Sequence, residues 1–258
     1  MSNNLLRITS WNLLNGRSLI DGKADASTLK KGIDDLLGEF SPDIIGIQEV
    51  DFDQLRSGQI HQAEKIAEWM GAREFRYHPT VLGTPGDIWS AHDGESAGAS
   101  YGIALISKIP VRNWHIKRLK KAPFGIPLAV PTPRGVRMRY VPDEPRVAIA
   151  AELEDGTIVS VTHLSFVPGF NVRQLRNITR WLHSLGSRVI LLGDFNLPWG
   201  LAAKLSGLNS LTSASSYPSW DPKVQFDYIL ASRGIEGREF THKQGSISDH
   251  RPISAVIG

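Results

Sequence analysis

The chain contains no cysteine. Disulfides, thiol nucleophiles and cysteine-based zinc or iron–sulfur centres are therefore excluded. It also lacks a long apolar run: no stretch approaches the roughly 18 residues that cross a bilayer as a helix. The opening segment, Met1-Ser-Asn-Asn-Leu-Leu-Arg7, has no basic stretch followed by an apolar core. No signal peptide is expected, and a cytoplasmic location is the expectation. There is no internal repeat and no low-complexity tract. Nor is there a large excess of one charge sign. The 29 basic and 26 acidic residues leave a net charge of +3. That is weak support for a polyanionic partner.

What is there has an ordinary globular balance: 41% apolar and 21% charged over 258 residues. This is enough chain for a substantial core, and one domain spanning residues 1–258 is expected. The charge is uneven. Arg112, Lys117, Arg118, Lys120, Lys121, Arg134, Arg137 and Arg139 follow one another with no acidic residue between them. Such a run reads either as a solvated face or as a surface that tracks phosphates.

The stretch Arg188-Val-Ile-Leu-Leu-Gly-Asp-Phe-Asn196 organises the rest. Val189 to Leu192 form a continuous apolar run, the signature of a strand buried on both faces. Asp194 and Asn196 follow directly. On an extended backbone that spacing points both side chains the same way. An Asx turn is the competing reading.

Other elements follow from periodicity. Leu5–Leu14 reads as a first strand. A helix capped by Ser27 or Thr28 runs to about Phe40, with Leu29, Ile33, Leu36, Leu37 and Phe40 on one stripe. Asp43–Val50 is a second strand ending near Glu49, and the spacing suggests a parallel pair. A helix is expected over 59–70. Residues 80–100 read as a long loop, and 120–145 as an irregular Pro-rich insertion. Tyr101–Ser107 is a strand with Val111–Ile116 as its expected hairpin partner. Arg146–Leu153 and Thr157–His163 form a hairpin around Glu154-Asp-Gly156. Asn171–Leu185 is a helix closed by Gly186. Residues 206–220 read as loop. Gln225–Leu230, Ile235–Phe240 and Pro252–Ile257 read as strands. The pattern favours paired mixed sheets covered by a few helices.

Polar residues recur at the mouths of these strands: Asn12, Glu49, His163, Asp194, Asn196, Asp227 and the loop pair Asp249-His250. Each alone has a dull explanation as a cap, a turn residue or a satisfied core histidine. Together they have a shared chemistry. Amide and carboxylate oxygens without cysteine suit a hard cation such as Mg²⁺ or Mn²⁺. Two histidines with carboxylate neighbours can move protons near neutral pH. These are the parts needed to attack a phosphoester.

Six segments carry a resemblance: Thr9-Ser-Trp-Asn12, Ile47-Gln-Glu-Val50, Thr162-His-Leu164, Leu192-Gly-Asp-Phe-Asn196, Phe226-Asp-Tyr-Ile229 and Ser248-Asp-His250. In this order they resemble the motifs of the endonuclease/exonuclease/phosphatase superfamily. The resemblance runs from residue 9 to residue 250. It implies an α/β fold, a four-layer αββα sandwich of two packed mixed β-sheets as in deoxyribonuclease I, with the site at one edge. It implies that Glu49 is the principal metal ligand, with Asn12 and Asp249 in or beside the metal shell. Asp194 and Asn196 would orient the water and the scissile phosphate. His250, held by Asp227, would act as general base or as stabiliser of phosphate charge. His163 would bond a phosphoryl oxygen or serve as acid toward the leaving group. His163 in a Thr-His-Leu setting is similar to the deoxyribonuclease, sphingomyelinase, phosphatase and deadenylase branches. AP endonucleases carry Asn there, so an AP-site role is disfavoured. Glu95 and Asp87 are candidates for the acid that orients His163. Tyr101 is a candidate phosphate contact and Trp220 a candidate stacking surface for a base or sugar.

The implied activity is divalent-metal-dependent phosphodiester hydrolysis. DNA is the favoured substrate, on the basic insertion and Trp220. The alternative is a phospholipid, phosphoinositide or other phosphorylated small molecule, with the insertion, Trp114, Phe124 and Ile126 resting on an anionic lipid surface. A non-catalytic phosphate-binding module is a second alternative, disfavoured because every catalytic-type residue is present. No obligate protein partner is implied.

Overall fold

The computed structural model describes residues 5–85, 88–92, 98–132 and 135–258. Strand β1 (Leu6–Asn12) leads through a short turn into helix α1 (Ala26–Glu39) and strand β2 (Ile44–Phe52). Helix α2 (Gln62–Met70) precedes β3 (Glu74–Gly83), β4 (Trp89–Ala91), β5 (Ser100–Ser107) and β6 (Val111–Leu119). A ribbon of β7 (Ile126–Thr132) and β8 (Gly135–Val141) follows. Then come β9 (Arg146–Leu153), β10 (Ile158–His163), α3 (Phe170–Leu185) and β11 (Val189–Asp194). The chain closes with α4 (Leu201–Ser206), β12 (Asn209–Ser210), β13 (Asp227–Ala231), β14 (Gly237–Phe240) and β15 (Ile253–Ile257).

Two mixed sheets result. One has the order β14-β15-β1-β2-β5-β3-β4, the other β12-β13-β11-β10-β9-β6. Each contains a parallel pair, β1 with β2 and β10 with β11, among antiparallel neighbours. Alternation along the strands explains the layers. On β11, Ile190 and Leu192 face the other sheet, sharing one core with its Ile8 and Ile44 and with Ile149 and Val161 of their own sheet. Val189 and Leu191 face outward against Leu175, Ile178 and Leu182 of α3. Ile45 and Ile47 of β2 likewise pack outward on Leu29, Ile33 and Leu36 of α1 and Ile66 of α2. Both faces of each central strand are therefore dry, which is why the sequence shows unbroken apolar runs. The sheets approach closely at Gly46, where an added Cβ would lie 2.8 Å from a Val161 methyl carbon.

Several expectations are corrected. Val111–Ile116 is not the hairpin partner of the strand at Tyr101–Ser107. β5 lies between β2 and β3 with no free edge, and β6 crosses to the other sheet to pair with β9. The expected loop over 80–100 is in part the end of β3 and β4. Pro79 did not end β3, because it lies at a register shift between Pro79 and Val81. A proline lacking its N–H is tolerated at such an irregularity. The expected irregular insertion is the β7–β8 ribbon. The cap of α1 is Asp25, whose carboxylate accepts from Thr28 N–H at 2.8 Å. The helix expected from residue 59 begins at Gln62, since Gln59 sits at φ 54 and His61 is the cap. Part of the expected loop over 206–220 is the end of α4 and β12.

Candidate active site

The topology collects the candidate residues at one edge of the sandwich. β1, β2, β10 and β11 end there, carrying Asn12, Glu49, His163 and Asp194. β13 runs antiparallel to β11 and begins there, so Asp227 pairs in register with Asp194. The loop before β15 arrives at the same edge and delivers Asp249 and His250, tied down by Trp11 Nε1–H donating to His250 O at 2.9 Å.

Glu49 lies within β2 rather than at its end. The register shifts between Gln48 and Val50, and Glu49 takes φ 57. This bulge re-aims the side chain out of the ladder. Asn12 then braces two carboxylates at once. Its Nδ2 donates to Glu49 Oε1 at 3.0 Å and to Asp194 Oδ2 at 3.2 Å, while its Oδ1 accepts from Leu14 N–H. Both nitrogen and oxygen of the Asn12 amide are thus engaged within the protein.

Of the two readings of the Asp194-Phe-Asn196 stretch, the turn holds. Asn196 N–H donates to Asp194 Oδ1 at 3.0 Å, which is an Asx turn. Asn196 is left-handed at φ 49, so the pair is not held by extended backbone as expected. Its amide instead donates to Leu164 O, and its carbonyl accepts from Asn171 Nδ2 at the start of α3. Gly193 makes the approach possible. At φ 149, a Cβ there would lie 2.0 Å from Thr162 O.

Asp194 Oδ2 lies 3.6 Å from His163 Nε2 and 3.8 Å from His250 Nε2. His250 Nδ1 meets Asp227 Oδ2 at 2.7 Å, and Ser216 Oγ–H donates to the same carboxylate oxygen. The ring of Tyr217 lies 4.8 Å from that of His250. His163 and His250, Asp194 and Asp227 are all buried. Their electrostatics differ sharply. Burial drives His163 well below the ordinary histidine value, helped by Arg146 and His250. Burial also works against a charge on His250, but Asp227, Asp194 and Asp249 outweigh it and push it up to about 10. Asp194 is raised by burial and then by Asp227.

Glu49 is raised to about 7, by burial first and then by the charge of Asp249. Asp249 is itself raised by burial. Among the described residues neither forms an ion pair with a lysine or arginine. Two recessed oxygen donors that burial still holds up despite the His250 charge nearby fit a hard divalent ion, which would relieve both. A second grouping, Asp194, Asp227 and His250, has one ligand atom of each within 4.8 Å of the others. It fits less well, because the Asp227 and His250 atoms nearest each other are already bonded together.

Tyr101 begins β5 beside Asp51 of β2 and is buried. Burial raises its hydroxyl well above the ordinary value, with Glu49 and Glu144 adding to the shift. Trp220 is half-buried in the turn after Ser219, whose N–H donates to Asp249 O at 2.6 Å. His163 Nδ1 has no partner among the described residues, and the candidates Glu95 and Asp87 lie outside them.

Sequence reasoning missed two arginines. Arg146, at the start of β9, is 5% exposed, with Nη2 3.7 Å from Glu144 and 4.0 Å from Asp143. Arg56 bonds the buried Asp51 through Nε and Nη2 and stands 5.7 Å over the Tyr101 ring. The cluster Asp143-Glu144-Pro-Arg146 before an apolar strand was the available signal for the first. Arg56 lies in a turn with no such cue.

Two face-to-face mixed sheets with helices outside, and carboxylates, amides and imidazoles along one edge, define an α/β-sandwich phosphoric ester hydrolase. The endonuclease/exonuclease/phosphatase family matches over residues 9–250, and the chain belongs to that family. Members are generally dependent on a divalent metal. Solved structures share the fold at low identity. One is an endonuclease/exonuclease/phosphatase from Beutenbergia cavernae (18% identity, TM-score 0.62, 98% of this chain and 71% of that one). Another is a 3'-5' exonuclease from Neisseria meningitidis (17%, 0.56, 97% and 98%). A third is sphingomyelinase C from Streptomyces griseocarneus (12%, 0.59, 98% and 99%). No curated protein sequence matches the chain.

Proposed function

We propose that this protein hydrolyses phosphodiester bonds with the help of a divalent ion, Mg²⁺ or Mn²⁺, held by Glu49 and Asp249. The observation that carries the reading is the Asn12 amide, which joins Glu49 to Asp194 and so links the metal cradle to the imidazoles. A bound ion would supply charge neutralisation at phosphoryl oxygens and the leaving group. Asp194, fixed by Asn12 and Asn196, orients the attacking water. His250, anchored on Asp227, presents Nε2 to the scissile phosphate and stabilises its charge. His163, which burial keeps from taking up a proton, bonds a phosphoryl oxygen or the leaving group.

DNA is the substrate we propose. Trp220 beside the Asp249 loop and the Tyr217 ring near His250 supply flat surfaces at the mouth on which bases or sugars can stack. One observation favours a second reading, a phospholipid headgroup: the ribbon beside the site exposes an apolar face. Supercoiled plasmid with Mg²⁺ separates the two. Nicking by the wild type, and none by Asp194→Ala, supports the nuclease. An intact plasmid, with turnover of bis-p-nitrophenyl phosphate, removes DNA and leaves the phosphodiesterase.

A further inference from the structure

The β7–β8 ribbon belongs to neither sheet. Its register sorts its side chains into two faces. Pro127 pairs with Tyr140 and Ala129 with Met138, so these four share a face with Val136. All five are exposed, Val136 at 67%, Met138 at 66% and Tyr140 at 62%. Among the described residues that face carries no charge. Arg137 and Arg139 project from the opposite face, beside the half-buried Ile126, Leu128 and Val141, and exposed Lys120 and Lys121 flank the ribbon root. No carboxylate occurs between Arg112 and Pro142.

The ribbon is attached at the site. Phe124 at its root packs edge-on against Phe170 at 5.9 Å. Gly125 N–H donates to the Tyr140 hydroxyl at 3.0 Å. Phe170 opens α3, where Asn171 bonds the Asn196 carbonyl. Just past Asn196, Trp199 is left-handed at φ 57 and 76% exposed. A chain of contacts thus joins the apolar ribbon, the catalytic loop and an exposed tryptophan.

We propose that the ribbon seats this protein on an anionic phospholipid bilayer. The apolar face lies at the boundary between headgroups and acyl chains, and Arg137 and Arg139 on the other face reach the lipid phosphates above it. An exposed apolar face opposite one that carries the cations is the division that interfacial segments use. Charge decides against the other occupants. On a nucleic acid the arginine face would make contact and the apolar face would stay in water. Against a second copy, the basic flanks would meet like charges. Trp199 adds an aromatic of the kind enriched at membrane interfaces. The inference does not depend on which phosphodiester is cut.

The test is sedimentation of the full-length protein, without added metal, on vesicles of phosphatidylcholine alone or mixed with phosphatidylglycerol. Binding is expected on the mixed vesicles and weak on phosphatidylcholine. The double variant Val136→Ser/Met138→Ser should bind both compositions at least about tenfold more weakly, since each buried methylene contributes to such partitioning. Arg137→Gln/Arg139→Gln should lose about tenfold or more on the anionic vesicles only. Both variants should keep the wild-type melting temperature and turnover of bis-p-nitrophenyl phosphate, because neither face packs on the core. Failure of vesicle binding with turnover intact overturns the membrane seat and leaves the phosphodiesterase standing. Two other results would also overturn it: loss of duplex-oligonucleotide binding in the arginine variant without vesicle binding, or a dimer by light scattering that Val136→Ser/Met138→Ser dissolves.

Discussion

At the strand edge, polar groups are buried; on the β7–β8 ribbon, apolar groups are exposed. Both reverse the usual partition, and they differ in how the cost is met. Asp194 and Asp227 are removed from water but receive hydrogen bonds from Asn12, Asn196, Ser216 and His250. Glu49, with one bond from Asn12, and Asp249 are still raised by burial, and this remaining deficit has the chemistry of a cation. The apolar face of the ribbon stays exposed among the described residues. Its deficit is apolar area, and its surroundings are basic. An unmet requirement therefore names the missing partner by its chemistry in both places. It points inward to an ion at one and outward to a surface at the other.

The comparison breaks first at the catalytic edge, where effects should be largest. Asp194→Ala and His163→Ala should each reduce turnover of bis-p-nitrophenyl phosphate by at least about a hundredfold. Near-normal steady-state rates in either would remove that residue from the chemistry. Glu49→Gln keeps an oxygen for the Asn12 amide and deletes the charge. The Mg²⁺ concentration for half-maximal turnover should rise about tenfold or more. Mg²⁺ should also raise the wild-type melting temperature, since an ion that binds only the folded state stabilises it. Chelation should reverse both effects, and a chelator-insensitive rate would sink the metal assignment. On the other side of the comparison, replacing residues 126–141 by a short Gly-Ser linker should change the melting temperature by no more than about 4 °C. A collapse of stability on that excision would mean that the ribbon is part of the core after all.

The difference between the two regions also governed what could be read beforehand. Every strand that feeds the site was visible, because burial on both faces writes itself as runs such as Val189–Leu192. The helical stripe of Leu29, Ile33 and Leu36 was equally plain. The candidate residues were legible because strand ends are fixed by their strands. The ribbon was not. Neither of its faces meets the core, so no burial pattern marks it, and its prolines read as breakers. β3 was hidden by Pro79 at its bulge, and the partner of β6 was hidden because pairing across sheets leaves no local trace. The Glu49 bulge and the buried Arg146 are likewise tertiary facts. A bulge is a register property of two strands, and a buried arginine looks like any strand-entry cation until its neighbours are known.

The smallest effect concerns histidines away from the catalytic edge, and it tests whether buried polar groups behave alike throughout the fold. His242 is 4% exposed between α1 and β15, with Nε2 2.7 Å from Ser254 Oγ and Nδ1 3.2 Å from Glu39. Burial lowers its affinity for a proton, and Glu39 only partly restores it. His61 and His78 are also lowered, again chiefly by burial. The sign follows. A histidine held neutral in the fold takes up its proton more readily when unfolded, so its contribution is complete above the unfolded value near 6.5. It is lost as pH falls from there through the lower folded value. The melting temperature should therefore drop on the acid side of about pH 6.5. His242→Gln should be less stable than wild type at pH 8 but should show a shallower acid-side drop. The difference should be at most about 1.4 kcal/mol per pH unit for one proton. A parallel pair of pH profiles would show that His242 binds its proton equally well in the folded and unfolded chain, with Glu39 offsetting burial in full.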